Sequence, residues 1–240
     1  VETMGMNRVL KIKQTEDQRV YVTTDTHLNH DPQWPVPIWE SRGYASAKDH
    51  TDSIIDTINE RVRPNDILFH LGDICLNTTS GQFHELIARI NCQTIYMLWG
   101  NHNNPSWKIY QNQVKESLDS FGSGTIDCGG WPSEPEDIEI YPFRYKNIVF
   151  VGNYLEAVLD GQYFVMQHYP IYVFNHMKDG AKMLCGHSHG GLDFSKHTNT
   201  NSKILDVSWD DFKKPLSLAE ILEIMNKKNV LVTTDHHRNK

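Results

Sequence analysis

Several things are scarce in this chain of 240 residues, and each scarcity excludes something. Only four cysteines occur (Cys75, Cys92, Cys128 and Cys185), without the spacing of a disulfide framework or a thiolate metal site. A reduced thiol set is therefore expected. Cys75 and Cys185 read as small buried residues beside polar strand ends rather than as soft metal ligands. No stretch reaches the roughly 18 consecutive apolar residues of a membrane-spanning helix. The start, Val1 to Arg8, has no apolar h-region, so no signal peptide is expected and the reading is cytoplasmic. Basic residues are outnumbered, with 23 Lys and Arg against 30 Asp and Glu and a net charge of −7. That balance argues against non-specific binding to a nucleic-acid backbone, duplex DNA above all. It leaves room for a small phosphate ester whose charge is met by metal ions. Internal repeats, low-complexity tracts and linkers are absent too, so residues 1–240 read as one domain with 1–8 and 233–240 frayed.

What the chain does have is a set of five short apolar runs, each ending on a metal-ligand residue. They are Arg19 to His27, Ile67 to Asp73, Thr94 to His102, Tyr163 to His168 and Ala181 to His189. Their length and their Val, Ile, Tyr, Phe and Leu content predict buried β-strands. Asp25, His27, Asp73, Asn101, His168, His187 and His189 then all arrive at strand ends. In an α/β sheet the carboxyl ends of strands are where ligands bind. Amphipathic helices are predicted over Lys48–Val62, Gln82–Ile90, Pro105–Leu118 and Ser217–Asn226, the last with Ser217 as N-cap. Their alternation with strands in the first half implies a parallel sheet with right-handed crossovers. Beyond residue 121 the pattern turns β-rich, with strands at Ile138–Tyr141, Asn147–Val151, Tyr163–Met166 and Ile204–Ser208. An irregular loop, His30 to Tyr44, carries three prolines and two tryptophans.

Asp25 and His27 lie two apart, as do His187 and His189, and in extended chain such pairs face one side. Oxygen and imidazole donors without thiolate suit Mn, Fe, Zn or Ni, with Mg less favoured by so many imidazoles. Seven such residues exceed one tetrahedral ion and suit two divalent ions, Mn foremost, sharing a bridging carboxylate as in two-metal hydrolytic sites. His30 divides between a loop histidine and a substrate contact. His70 reads as a satisfied core histidine, and His50, His84, His176 and His197 as surface residues. Trp34 and Tyr169 flank ligand residues and are the aromatics placed at the pocket.

The blocks Asp25-Thr26-His27, Gly72-Asp73, Gly100-Asn101-His102, His168 and Gly186-His187-Ser188-His189 resemble the five-block signature of the calcineurin-like metallophosphoesterase superfamily. The longer blocks Thr24–His30 and His70–Asp73, with Val207–Asp211, resemble a small bacterial and phage branch of phosphoesterases. The resemblance implies a four-layer αββα sandwich with a dinuclear metal site at the strand carboxyl ends. It implies Asp25, His27 and His189 on one ion, Asn101, His168 and His187 on the other, and Asp73 bridging them. A hydroxide between the ions would attack phosphorus, and His102 would serve the leaving oxygen. Two positions depart from the family pattern. Asn103 follows the Gly-Asn-His block where many members carry an acid, and no arginine follows Asp73. Arg42 and Arg144 are the candidates to replace that arginine.

The function expected is hydrolysis of a small, nucleotide-like phosphodiester, with His30, Trp34, Asn103 and Tyr169 as substrate contacts. Phosphomonoesterase and single-strand nuclease activities remain alternatives. A non-catalytic binding scaffold fits less well, because the ligand set is intact.

Overall fold

The structure is a computed structural model that describes residues 9–31, 36–76, 78–102, 108–113 and 142–230. Two sheets form its frame. In the first, β2 (Val20–Thr23), β3 (Ile67–His70), β4 (Thr94–Met97) and β6 (Ile148–Phe150) run parallel side by side. β11 (Leu216–Ser217) closes one edge of this sheet and β5 (Phe143–Tyr145) the other, both antiparallel. The second sheet has the order β1 (Leu10–Ile12), β7 (Tyr154–Leu159), β8 (Gln162–Gln167), β9 (Lys182–Cys185) and β10 (Ile204–Asp206). β7 and β8 form an antiparallel hairpin through Asp160 and Gly161, both in left-handed backbone, and the other pairs of this sheet are parallel.

Alternation along the strands explains the layers. Val20, Val22, Ile67 and Phe69 of the first sheet meet Phe164, Met166, Leu184 and Leu205 of the second in one buried cluster between the sheets. The opposite face of the first sheet offers Tyr21, Leu68, Ile95 and Met97 to helices α2 (Ala47–Arg61) and α3 (Ser80–Ala88). α2 begins at Ser46, whose side chain accepts from the Asp49 N–H, and α3 begins with a Thr79–Gln82 capping box. The outer face of the second sheet, with Val165, Met183, Cys185 and Ile204, is covered differently. Its described cover is loop and 3₁₀ turn, with Phe174 and Met177, instead of an α-helix.

The runs predicted as strands yield β2, β3, β4, β6, β8, β9 and β10, and the helices expected at 48–62, 82–90 and 217–226 agree within two residues. Residues 108–113 are helical; the rest of the expected 105–118 helix, and the expected strand at 138–141, lie outside the described residues. The C-terminal helix Leu218–Asn226 starts at the predicted Ser217 cap, completed by Glu220 as a capping box. β1 and β7 are additions that the sequence pattern did not single out.

Candidate metal centre

The centre forms where the two sheets come together at their carboxyl ends. An isolated bridge pairs Thr24, just past β2, with Ser208, just past β10. Asp25 Oδ2 accepts the His187 N–H at 3.0 Å, and the His168 ring meets the Leu71 carbonyl at 3.1 Å. Each of these contacts joins a strand end of one sheet to a strand end of the other. Within the first sheet the Asp25 and His27 N–H groups donate to the carbonyls of Gly72 and Asp73.

The backbone bends sharply here. Asp25, His27, Asp73, His187 and His189 all have positive φ, between 48° and 66°. Such backbone costs on the order of 1 kcal/mol for each non-glycine residue and clusters where function requires it. The neighbouring glycines are steric necessities. A Cβ on Gly100 would collide with the Asp73 carboxylate, and one on Gly186 with the Asp25 carboxylate and Thr24.

The side chains converge. Asp25, His27 and His189 present ligand atoms that all lie within 4.8 Å of one another, and so do Asp25, Asp73 and His168. His27 Nε2 is 3.8 Å from Asp25 Oδ1 and 3.9 Å from Asp73 Oδ2. His168 Nε2 is 3.4 Å from the same Asp73 oxygen, which therefore sits between His27 and His168. Asn101 Oδ1 lies 3.1 Å from His168 Nε2 and 3.0 Å from His187 Nδ1. His189 Nε2 is 3.7 Å from Asp25 Oδ1. All seven predicted ligand residues are thus gathered in one place. Asp25 stands close to both groups, a second carboxylate between the halves.

These atoms are short of partners. Asp25 Oδ1 and both ring nitrogens of His27 are buried without a hydrogen bond. An unpaired buried polar group is expensive, and one or more divalent ions among these oxygens and imidazoles would satisfy it. Burial pushes the Asp25 carboxyl up to about 6, against the pull of His168 and His189. Burial also drives His27 well below its ordinary value, leaving it the neutral imidazole a metal needs. Asp73 is pushed up by burial too, but His168 and the His102 N–H outweigh this and hold it at about 2. That N–H donates to Asp73 Oδ1 at 2.8 Å. The Leu71 carbonyl can only accept, so His168 carries its proton on Nδ1 and turns Nε2 to the site.

Around this centre stand Asp206 and Asp210, which sequence reasoning left without a role, and Arg42, which it placed elsewhere. His189 Nδ1 meets Asp210 Oδ2 at 2.5 Å. Asp210 in turn accepts two hydrogen bonds from Arg42, at 2.9 and 2.6 Å. Asp206 accepts from Ser188 Oγ and from the N–H groups of Gly190 and Ser208, fixing the turn that carries His187 and His189. The block Val207–Asp211 signalled this region without giving these residues a task.

Three expectations need correction. Arg42 is no phosphate clamp: its side chain is 2% exposed and bonded to the carbonyls of Asp25 and Thr26, to His50 and to Asp210. Arg144 lies on the edge strand β5 and donates to the Lys146 carbonyl. His50, expected at the surface, is fully buried on the same face of α2 as Ile54 and Ile58, and burial with Arg42 beside it lowers it to about 4. Its spacing from Ile54 and Ile58 was the available signal.

Other residues fall where expected. His70 is buried with its Nε2 on Thr26 Oγ1. Cys75 and Cys185 are buried free thiols, and burial raises both. The His102 ring stands 5.7 Å from that of His27, and the His30 ring 5.8 Å from it. His30 Nδ1 accepts the Ile38 N–H, at 3.3 Å. Tyr169 is 44% exposed and packs its ring on His168 and His187. Trp34 and Asn103 lie outside the described residues.

The fold and this cluster define an α/β protein with a candidate divalent-metal centre at the meeting point of two sheets. The calcineurin-like phosphoesterase model matches residues 18–239, and the chain belongs to that family. Metal-dependent hydrolysis of phosphoesters is the activity the family implies, with small phosphoesters as substrates. An uncharacterized protein of the archaeon Methanocaldococcus jannaschii is 26% identical over 161 residues, covering 60% of this chain and 88% of that protein. The crystal structure of a protein of unknown function from Aquifex aeolicus superposes with a TM-score of 0.52. It shares 17% identity over 86% of this chain and 99% of its own, a likeness that speaks for the fold alone. Among the described residues no helix is long and apolar enough to cross a membrane.

Proposed function

We propose that the protein hydrolyses a small phosphodiester, nucleotide-like in character, at a centre holding two divalent ions. The observation that carries this reading is the convergence of buried, unpartnered carboxylate and imidazole atoms from Asp25 and His27 with Asp73, His168 and His189. Asp25, His27 and His189 would hold one ion and Asn101, His168 and His187 the other, with Asp73 shared. Bound there, divalent ions, Mn²⁺ foremost, supply Lewis acidity that withdraws charge from the phosphoryl oxygens.

The remaining work falls to the chain. The His102 N–H holds the Asp73 carboxylate in place, and its ring, beside His27, is set to protonate the departing oxygen. Tyr169, exposed against His187, offers a flat apolar surface to the group beyond the phosphate. Arg42, spent on Asp210 and backbone carbonyls, adds no charge to the phosphate side. A diester monoanion asks for less positive charge than a monoester dianion, and this favours the diester over phosphomonoesterase action.

The test is a Mn²⁺-supplemented panel of bis-aryl phosphate, aryl phosphate, cyclic nucleotides and single-stranded DNA. The reading expects the highest kcat/KM on a small diester. A clear preference for the aryl monoester, or for DNA, would replace the diester reading with the phosphatase or the nuclease. No metal-dependent turnover on any of them would leave the binding scaffold.

A further inference from the structure

Arg42 is the residue whose placement the family reading does not use. It follows the short helix α1 (Ile38–Ser41) in a segment that carries no other charge into the interior. The side chain is 2% exposed, and its guanidinium makes five bonds. Two go to the carbonyls of Asp25 and Thr26, at 2.7 and 3.0 Å, the backbone that bends into left-handed geometry at the centre. Two more grip the Asp210 carboxylate side-on, and the fifth goes to His50 Nε2 at 2.9 Å. Burial and Arg42 keep His50 neutral, so this nitrogen accepts the guanidinium proton. Asp210 passes the restraint on, its Oδ2 meeting Nδ1 of His189. That contact points His189 Nε2 at Asp25 Oδ1, 3.7 Å away.

The result is a single ionic strap with one end in residues 36–44 and the other on a predicted ligand. Among the described residues the segment has other ties. The Ile38 N–H donates to His30 Nδ1 at 3.3 Å. Trp39 Nε1 donates to Asp31 at 3.1 Å, the Tyr44 N–H returns to the Trp39 carbonyl, and the Tyr44 ring packs edge-on against His50. The α1 helix buries none of its residues. Lys213 reaches Asp210 Oδ1 only at 3.7 Å and is itself 55% exposed, so it is a weak substitute for Arg42.

We propose that Arg42 and Asp210 are positioning residues that couple the seating of residues 36–44 to metal binding by Asp25, His27 and His189. The coupling works in both directions, as any linkage must. A seated segment presents His189 and the Asp25 backbone in ligand geometry, and a bound ion keeps the segment seated. The inference rests on the two-metal reading and assigns it a control element outside the ligand set.

The experiment titrates Co²⁺ into the metal-free 240-residue chain, following its visible absorption, while hydrogen exchange reports on residues 36–44. Asp210→Asn keeps the shape of the side chain and removes its charge; Arg42→Met removes the strap. The proposal expects one of the two Co²⁺ affinities to fall by about 10–100-fold in either variant, the usual cost of losing a partner behind a ligand, while the other holds. It expects the double variant to lose no more than the worse single one. Co²⁺ should slow exchange over 36–44 in the unmodified chain and leave it unchanged in Arg42→Met. Variants that bind both ions like the unmodified chain, or equal loss at both, would overturn the proposal alone. An unmodified chain that binds no Co²⁺ would overturn the two-metal reading as well. If a variant does not fold, exchange in the unmodified chain decides: no slowing over 36–44 on Co²⁺ binding refutes the coupling.

Discussion

His189 and His168 occupy comparable places at the ends of neighbouring strands, yet they are held by different kinds of group. His189 rests on the Asp210 carboxylate, itself locked by a buried arginine. His168 rests on a neutral backbone carbonyl, that of Leu71. The companions differ as well. Asp25 and His27, beside His189, are buried to 0% and 4% exposure, whereas Asn101 and His187, beside His168, are exposed. In one half of the centre Asp25 and His27 are therefore held by burial, and His189, its side chain 34% exposed, by charge. The other half offers two exposed side chains that touch through Asn101 Oδ1, with Tyr169 alongside. The contrast teaches that a ligand set alike in sequence need not be alike in support. On the proposed reading, substrate would approach beside the exposed Asn101 and His187.

Asp73 belongs to both halves, so its loss should be the largest. Asp73→Ala should remove at least one ion and abolish nearly all turnover, because it removes the carboxylate oxygen that sits between His27 and His168. Steady-state kinetics with a metal count on the same sample check this, and an active variant with full metal content would break the shared-carboxylate idea. Next comes His102→Ala. It should keep its metal and lose about 10²–10⁴-fold in kcat if the ring is a general acid. The loss should shrink for esters of good leaving groups such as p-nitrophenolate. An equal loss on good and poor leaving groups would leave the ring an electrostatic role only.

Asp206 tests the turn that serves both halves at once, since it anchors Ser188 and Gly190 around His187 and His189. Asp206→Ala should destabilise the protein by roughly 1–3 kcal/mol for each buried donor left unpaired. Urea denaturation measures it, and metal affinity should fall in both halves. A fall in only one half would sharpen the division between them.

The smallest effect should come from Glu220, which caps the C-terminal helix far along the chain from either half. Burial raises its carboxyl, but Lys214, the Ser217 N–H and hydroxyl, and Arg61 outweigh this and bring it from 4.5 to about 2. A depressed carboxylate stabilises the fold above its unfolded value. That contribution should fade as pH falls from about 4.5 to about 2. Glu220→Gln should flatten the acid limb of stability in that window and leave turnover at neutral pH alone. An unchanged acid limb would show the cap contributes little.

The candidate ligands were legible because each sits where an apolar run ends, and strand ends are readable from composition alone. The helices were legible from apolar spacing and from Ser217. The strap was not. Arg42 and Asp210 stand 168 positions apart, and no local pattern links a residue after a proline-rich loop to one past β10. β1 escaped for the same reason, since it pairs with β7 across the sequence, Leu10 against Ala157. β7 was within reach: the Asp160-Gly161 turn before Gln162 is a hairpin signal, and it implied a strand on either side. His50 was within reach too, four residues before Ile54 on one helical face.

The account stands on two ions sharing Asp73. Elemental analysis of the unmodified chain, replete with Mn²⁺ and active on a small phosphodiester, counts them. The account predicts two Mn²⁺ per chain; one or none in fully active protein would contradict it.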